Sequence, residues 1–459
     1  MARQLFGTDG IRGVAGAYPL DHKTVFAFGR ALGEWASSAA QNRGHQSARI
    51  VIGMDTRESG PELASLVAAG LRRSGTEPVF AGLTTTPGVA YLTRVEDFIA
   101  GLMISASHNP FHDNGLKVFD HSGFKLEDEI EDGIEQRIFA FAAAFAAEAG
   151  EPTIVALEPD ATLDNQYIDF LASTFHRSLK GRKIVLDCAN GSASYLGPKL
   201  FTRLGAQVVA MNCEPDGRNI NLNCGALHTE ALRQAVLDHG ADYGAAFDGD
   251  ADRCMIFAKT GKLIDGDHAL LIAGRRLQAQ GKLSGKNGTP AIVATVMSNL
   301  GLQRALEADG IQLIRTGVGD KYVLEEMLRS DLPLGGEQSG HVIFREFSTT
   351  GDGMLTALRI IEQAEETGRC LEDLTSDFHI YPQRLLNVRF KVKRPLEELP
   401  AVQAEIQATE SEFGDAGRVL VRFSGTEPLA RVMVEGPSEE RVLQRAQSIA
   451  AAIVAALNN

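Results

Sequence analysis

The chain has 459 residues, of which 44% are apolar and 23% charged, and carries a formal net charge of −14. That length exceeds what one hydrophobic core usually serves, so three or four domains of ordinary soluble composition are expected. The acid excess excludes nucleic acid and anionic membrane as natural partners, because both favour a basic surface, and an anionic ligand would need a local basic cleft.

The opening MARQLFGTDGIRG lacks the charged-then-apolar run of a signal peptide and sets Arg12 in a glycine-flanked loop, Phe6–Gly13. A β-branched run, RIVIGMD (Arg49–Asp55), is followed by helix-like sequence from Pro61 to Gly75 and by a second apolar run, Glu77–Leu83. Proline in the first turn and glycine at the stop fit a helix between two strands. A third run, FIAGLMI (Phe98–Ile104), enters SASHNP at Ser105–Pro110, and Lys117 follows in DNGLK. The Ala-rich stretch Ala140–Ala149 is too short to span a bilayer and reads as a surface helix closing a domain.

The same design then recurs twice. KIVLDCANG (Lys183–Gly191), a helix at Tyr195–Gly205 and AQVVAMN lead to ADYGAAF, which enters DGDADR at Asp248–Arg253. AIVATVMSN (Ala291–Asn299), a helix at Leu300–Gly310 and IQLIRTG lead, past the turn GVGD (Gly317–Asp320), to LPL and GGEQSGH at Gly335–His341. Continuous apolar runs of this kind suggest strands buried on both faces, and ligands gather at the carboxyl ends of such strands. The tail differs. RLLNVRF (Arg384–Phe390), a helix near Leu396–Phe413, RVLVRF, RVMVEG and a final helix from Glu439 read as a smaller α+β domain whose RFSGTEP loop (Arg422–Pro428) would close over the cleft.

The expected organisation is therefore α/β: four domains around a central cleft, three repeated α/β mixed-sheet units and a smaller C-terminal α+β domain. Breaks are placed after residues 152, 257 and 372, giving 1–152, 153–257, 258–372 and 373–459. The five cysteines (Cys188, Cys213, Cys224, Cys254, Cys370) form no C-x-x-C pair and fit idle thiols in a reducing cytosol.

Each loop offers distinct chemistry. In DGDADR, side chains at alternate positions of an extended loop share a face, so Asp248, Asp250 and Asp252 can converge on one hard cation, Mg²⁺ or Ca²⁺. An EF-hand is excluded, since Arg253 and Lys259 stand where its glycine and glutamate are required. Arg253 can then reach a phosphate beside the metal. In SASHNP, Ser105 and Ser107 are both candidate nucleophiles, with Asn109-Pro110 expected to hold Ser107 on an exposed loop. No G-x-S-x-G elbow surrounds them, which disfavours a Ser-His-Asp hydrolase. Lys117 can serve as a general base where neighbouring cations lower its pKa. RFSGTEP fits a phosphate nest: Gly425 turns backbone N–H groups inward, Ser424 and Thr426 add hydroxyls, and Arg422 and Arg431 add guanidinium forks. GGEQSGH suits hydrogen bonding to sugar hydroxyls, with His341 as an acid or base candidate.

These motifs, in this order through essentially the whole chain, resemble the α-D-phosphohexomutase family, and most of all its amino-sugar branch. The resemblance implies a cytoplasmic enzyme that interconverts glucosamine 6-phosphate and glucosamine 1-phosphate through a phosphoserine and a bisphosphorylated sugar. It implies Ser107 as the phosphorylated serine, with Asp248, Asp250 and Asp252 completing a site for one Mg²⁺. Lys117 and His341 would be the acid/base pair, with Arg12 and Arg253 near the moving phosphoryl. Glu337 and Ser339 would bind the sugar, and Arg422, Ser424, Gly425, Thr426 and Arg431 the distal phosphate. A sugar 1,6-bisphosphate would be the activator, a small-molecule sugar phosphate the partner, and a homodimer the candidate assembly. Three positions depart from the family pattern: Ala251 for a usual glycine, Phe423 for a usual basic residue, and Met54 for a usual arginine. The Ala251 change is expected to matter little because its side chain points away from the metal. A phosphoglucomutase or phosphomannomutase, a Mg²⁺-dependent phosphatase and a non-catalytic sugar-phosphate sensor are the competing readings.

Overall fold

A computed structural model describes residues 4–7, 9–145, 156–286, 288–424 and 428–458. The chain divides into two compact units, one of Met1–Met297 with Leu313–Thr375 and one of Ser298–Gln312 with Ser376–Asn459.

The larger unit holds three sheets. The first has strands β1 (Phe6–Gly7), β2 (Gly10–Val14), β3 (Arg49–Met54), β4 (Glu77–Leu83), β5 (Ala100–Ile104) and β6 (Asp113–Asp120), in the order β1-β2-β6-β5-β3-β4. The second has β7 (Lys183–Asp187), β8 (Gln207–Met211), β9 (Tyr243–Phe247), β10 (Cys254–Ala258) and β11 (Leu263–Ile264), ordered β11-β10-β9-β7-β8. The third has β12 (Ala291–Thr295), β13 (Gln312–Thr316), β14 (Leu334–Gly336) and β15 (Val342–Phe344), ordered β13-β12-β14-β15.

One design underlies all three. In each sheet a parallel pair, β3/β5, β7/β9 or β12/β14, is followed by an antiparallel strand, β6, β10 or β15. The three motif loops are the connections from the last parallel strand to that antiparallel one. Strands β5, β9 and β12 are buried along their whole length, as their unbroken apolar sequence requires, whereas the edge strands β8 and β13 are half-exposed. Helices follow the first strands at Gly60–Arg73, Ala193–Arg203 and Leu300–Ala308, within two residues of the expected starts. The third of these belongs to the smaller unit, so this repeat is shared between the two bodies.

The Ala-rich stretch ends a helix at Asp128–Phe145, and its residues 146–149 lie outside those described. In the smaller unit, β16 (Gln383–Arg389), β17 (Arg418–Phe423) and β18 (Leu429–Glu435) pair antiparallel in the order β16-β18-β17. Helices Pro400–Phe413 and Glu439–Leu457 cover this sheet, their Val402, Ala446 and Ile449 packing against Val432 and Val434. All five cysteines are free thiols. Among the described residues no helix is long and apolar enough to cross a membrane.

Candidate active site

Strand β5 delivers its loop directly to strand β9's. Ser107 Oγ donates to Asp248 Oδ2 at 2.7 Å. Ser107 is 2% exposed, not on an exposed loop as the turn sequence suggested, because the loop folds back against DGDADR. Ser105 is also buried, and its hydroxyl is committed: it donates to Asp55 Oδ2 at 2.6 Å and accepts the Ser107 N–H at 2.9 Å. Of the two candidate serines, only Ser107 faces the acidic loop. His108 Nδ1 lies 3.4 Å from Ser107 Oγ, and burial with Arg253 and Arg12 nearby lowers its pKa to about 4, so it is neutral.

Backbones rather than side chains make the loops meet. A Cβ on Gly249 would stand 2.5 Å from the Ser107 carbonyl oxygen, and one on Gly191 would stand 2.4 Å from the Gly249 oxygen. Only glycine at both positions lets the β5, β9 and β7 loops stack this closely. Ser192 N–H and Asn221 Nδ2 tie the layers together, donating to the Gly249 and Ser107 carbonyls at 2.8 and 2.9 Å.

The carboxylates of Asp248, Asp250 and Asp252 are buried and each offers an oxygen within 4.8 Å of the others. Asp250 Oδ2 accepts from Thr86 Oγ1 at 2.6 Å and Lys117 Nζ at 2.8 Å, while its Oδ1 and Asp252 Oδ1 have no hydrogen-bond partner. Burial first, then Asp252 and Asp250, push the Asp248 pKa up. Two buried oxygens without a hydrogen-bond donor among three like charges are costly without a cation, although Arg253 Nε lies 3.9 Å from Asp252 Oδ1, and all-oxygen donors suit a hard divalent ion such as Mg²⁺. Ala251 adopts φ 57° within this turn. A glycine here would meet this backbone demand freely, whereas alanine carries a strain of about 1 kcal/mol that side-chain direction alone did not suggest.

Cations and anions alternate around the trio. Lys117 Nζ also lies 3.1 Å from Asp9 Oδ2, and Asp9 pairs with Arg12 and with Lys125, whose Nζ reaches Asp320 Oδ2 at 2.5 Å. Burial alone would lower the Lys117 pKa, but Asp250, Asp9 and Asp252 raise it above its ordinary value. The expected cation-lowered general base is thus an ammonium held by carboxylates, which outweigh both burial and Arg12. His341 Nδ1 lies 3.5 Å from Asp252 Oδ2 and Nε2 3.9 Å from Asp320 Oδ2. Burial opposes charge on this ring, yet Asp252 and Asp320 draw its pKa up to about 9. The Gly351 N–H, however, donates to Nε2 at 3.0 Å, which requires a lone pair there. That bond is directional and local, so the neutral ring protonated on Nδ1 fits this geometry.

Glu337 and Ser339 line a cavity of about 460 Å³ together with Arg253 and Gln338. Glu337 Oε1 accepts from the Gly319 N–H at 3.2 Å, which draws the GVGD turn into the site. A larger cavity of about 570 Å³, walled by Lys125, Asp320 and several carboxylates, includes none of the trio. In the smaller unit, Arg422 and Arg431 face each other across β17 and β18. Burial and then Arg431 lower the Arg422 pKa, the expected result of two cations placed side by side. Ser424 N–H donates to the Leu429 carbonyl at 2.7 Å, and Gly425 and Thr426 lie outside the described residues. Phe423 packs edge-on against Phe390, with Lys393 Nζ 5.4 Å over its ring.

Sequence reasoning missed Asp9, Asp55, Arg57, Thr86, Asn221, Lys125 and Asp320. Asp9, Asp55 and Asp320 sat inside segments already singled out (FGTDGIRG, the run ending at Asp55, and GVGD), so local motif membership was the available signal for them.

Family models described as phosphoglucomutase/phosphomannomutase match residues 3–144 (alpha/beta/alpha domain I), 165–261 (domain II), 265–381 (domain III) and 385–452 (C-terminal domain). The chain belongs to the phosphoglucomutase/phosphomannomutase family. Within the family it is 58% identical to the phosphoglucosamine mutase of Solibacter usitatus, over 98% of each chain. A phosphoglucomutase/phosphomannomutase family protein from Burkholderia thailandensis shares its fold with TM-score 0.78 and 24% identity, over 98% of this chain and 97% of that one. The N-acetylphosphoglucosamine mutase of Aspergillus fumigatus, in complex with GlcNAc-6P and magnesium, does so with TM-score 0.64 and 19% identity, over 99% and 96%.

Proposed function

We propose that this chain is a phosphoglucosamine mutase, interconverting glucosamine 6-phosphate and glucosamine 1-phosphate. The observation that carries the proposal is Ser107 Oγ, 2.7 Å from Asp248 within the carboxylate trio. The near-full-length identity to curated phosphoglucosamine mutases supports the choice of sugar.

In this reading phosphorylated Ser107 gives its phosphoryl to the free hydroxyl of the bound sugar phosphate. The P–Oγ bond breaks, a P–O bond to the sugar forms, and the hydroxyl proton would pass to His341 as the base of the acid/base pair. The resulting bisphosphorylated sugar turns over in the cleft, and Ser107 takes back the other phosphoryl. One Mg²⁺ per chain, held by Asp248, Asp250, Asp252 and the Ser107 phosphate, would supply charge neutralisation during transfer. Lys117, held charged by Asp250 and Asp9, would be the acid of the acid/base pair, and Arg12 and Arg253 would bind the moving phosphoryl. His341 is the second acid/base candidate, although both its nitrogens are engaged. Glu337 and Ser339 would bind sugar hydroxyls, and Arg422, Ser424, Gly425, Thr426 and Arg431 the phosphate that stays.

The proposal includes domain breaks after residues 152, 257 and 372, a sugar 1,6-bisphosphate activator, a cytoplasmic location and a homodimer. Intact-protein mass spectrometry with peptide mapping tests it first. A phosphate on Ser107, present as purified or after incubation with glucose 1,6-bisphosphate, is expected, and its absence in both samples would overturn the reading. Comparing kcat/KM for glucosamine and glucose phosphates then separates it from a phosphoglucomutase. Release of inorganic phosphate faster than isomerisation would instead identify a phosphatase.

A further inference from the structure

Ser107 holds φ 51°, a left-handed conformation that residues other than glycine avoid. Such a conformation persists only where the surroundings over-determine it. Here the over-determination centres on one buried side chain. Arg57 is 1% exposed and lies three residues beyond β3. Its Nη2 donates to the carbonyls of Ser107 at 2.9 Å and Asn109 at 3.0 Å, and its Nη1 to that of Pro110 at 2.6 Å. Its Nε donates to Asp55 Oδ2 at 2.9 Å, and its own N–H to Asp55 Oδ1 at 3.0 Å.

Asp55 closes the circuit from the other side. Its Oδ2 accepts from Ser105 Oγ, and that oxygen accepts the Ser107 N–H. Both peptide groups flanking the Ser107 Cα are therefore referred to the same Asp55–Arg57 pair, by different routes. Asn221 Nδ2 is the second donor to the Ser107 carbonyl. A fully buried ion pair is weak evidence for stability, since an apolar pair of the same volume often does as well. What an apolar pair cannot do is gather three carbonyls of one loop.

We propose that Arg57 is a positioning residue for the phosphoryl-carrying serine: it fixes the Ser105–Pro110 loop so that Ser107 Oγ points into the carboxylate trio. The Arg57 side chain hydrogen-bonds Asp55 and the carbonyls of Ser107, Asn109 and Pro110 and does not line the 460 Å³ cavity, so it acts through the Ser105–Pro110 loop. The proposal rests on the phosphoserine reading above.

The test compares full-length wild type, Arg57→Lys and Asn221→Gly, each primed with glucose 1,6-bisphosphate and assayed with glucosamine 1-phosphate. Lysine keeps a charge for Asp55 but lacks the planar fork that serves Asp55 and three carbonyls together. Glycine at 221 suits the native φ of 58° and removes only the amide donor. Arg57→Lys is expected to lower kcat by about 100-fold with KM changed less than about threefold, because a displacement near 1 Å has that effect on transfer. Single-turnover experiments with ³²P-labelled enzyme should show the same loss and a larger share of phosphoryl going to water. Asn221→Gly should lower kcat by about tenfold in the same pattern. Wild-type kcat in Arg57→Lys overturns the proposal, as does a parallel loss of kcat, KM and thermal stability with Asn221→Gly unaffected. Should Arg57→Lys not fold, Asn221→Gly decides alone, and wild-type turnover there is likewise a refutation. Failure of the wild type to label Ser107 would instead bring down the functional reading itself.

Discussion

Replacing Gly191 by alanine should damage catalysis from outside every recognised motif. The new Cβ would stand 2.4 Å from the Gly249 carbonyl oxygen and 2.7 Å from its Cα, whereas ordinary contact begins at 3.4 Å. Relief requires one backbone to withdraw by about 1 Å, and overpacking of that kind costs about 1–3 kcal/mol of stability. Gly249 cannot withdraw freely, because it sits between Asp248 and Asp250 and against the Ser107 carbonyl. The shift therefore reaches the carboxylate trio. A misplacement near 1 Å is expected to lower kcat about 100-fold, or about 2.7 kcal/mol of barrier. Thermal unfolding, kcat and a Mg²⁺ titration of activity on the purified variant measure all three consequences. Gly133→Ala is the control: no atom lies within 4 Å of its added Cβ, so kcat should hold and stability rise by about 0.5–1 kcal/mol. A Gly191→Ala enzyme with wild-type kcat and Mg²⁺ dependence would refute the stacking of the three loops.

Ser107→Ala should abolish mutase turnover and Ser107 labelling while changing stability by no more than about 1–2 kcal/mol, read by activity and thermal unfolding. Asp250→Asn removes a charged ligand but keeps a carbonyl for Thr86 and Lys117, so half-maximal activity should need about tenfold more Mg²⁺ or above. Asp352 supplies a pH test. Burial raises its pKa to about 6, although Leu355 N–H and Tyr167 Oη donate to it at 2.9 and 2.7 Å. A carboxyl whose folded pKa exceeds its unfolded value contributes stability that is present at low pH and lost as pH rises through 6. Asp352→Asn keeps the helix cap without titrating, so it should flatten the fall in melting temperature between pH 4 and 7.

The fold was legible where residues act on one another in a sequence-encoded way. Strands β5, β9 and β12 read as buried runs because both faces are covered. The Asp248, Asp250 and Asp252 trio was legible from its spacing, but a turn closed by the Ala251 N–H on the Asp248 carbonyl at 3.0 Å, not an extended loop, gathers the carboxylates. The residues alone left Ser105 and Ser107 equivalent and the family resemblance singled out Ser107; the structure adds the physical reason, Asp55 engaging Ser105. The sharing of Leu300–Ala308 with the smaller unit left no mark on the repeat pattern, since a helix's apolar face does not name its partner.

The residues that escaped notice share a physical reason. Arg57 and Asn221 address backbone carbonyls, and a carbonyl has no letter in the sequence. Gly191 and Gly249 act by what they lack, which is legible only against the backbone pressed upon them. Thr86 heads a helix in an unremarkable TTTP run and finds Asp250 across 164 residues of chain. Motifs therefore name the groups that meet the substrate, whereas the groups that aim them are encoded in long-range geometry. Substituting the groups that aim the serine should preserve sugar binding and lose rate, the signature predicted above for Arg57 and Asn221.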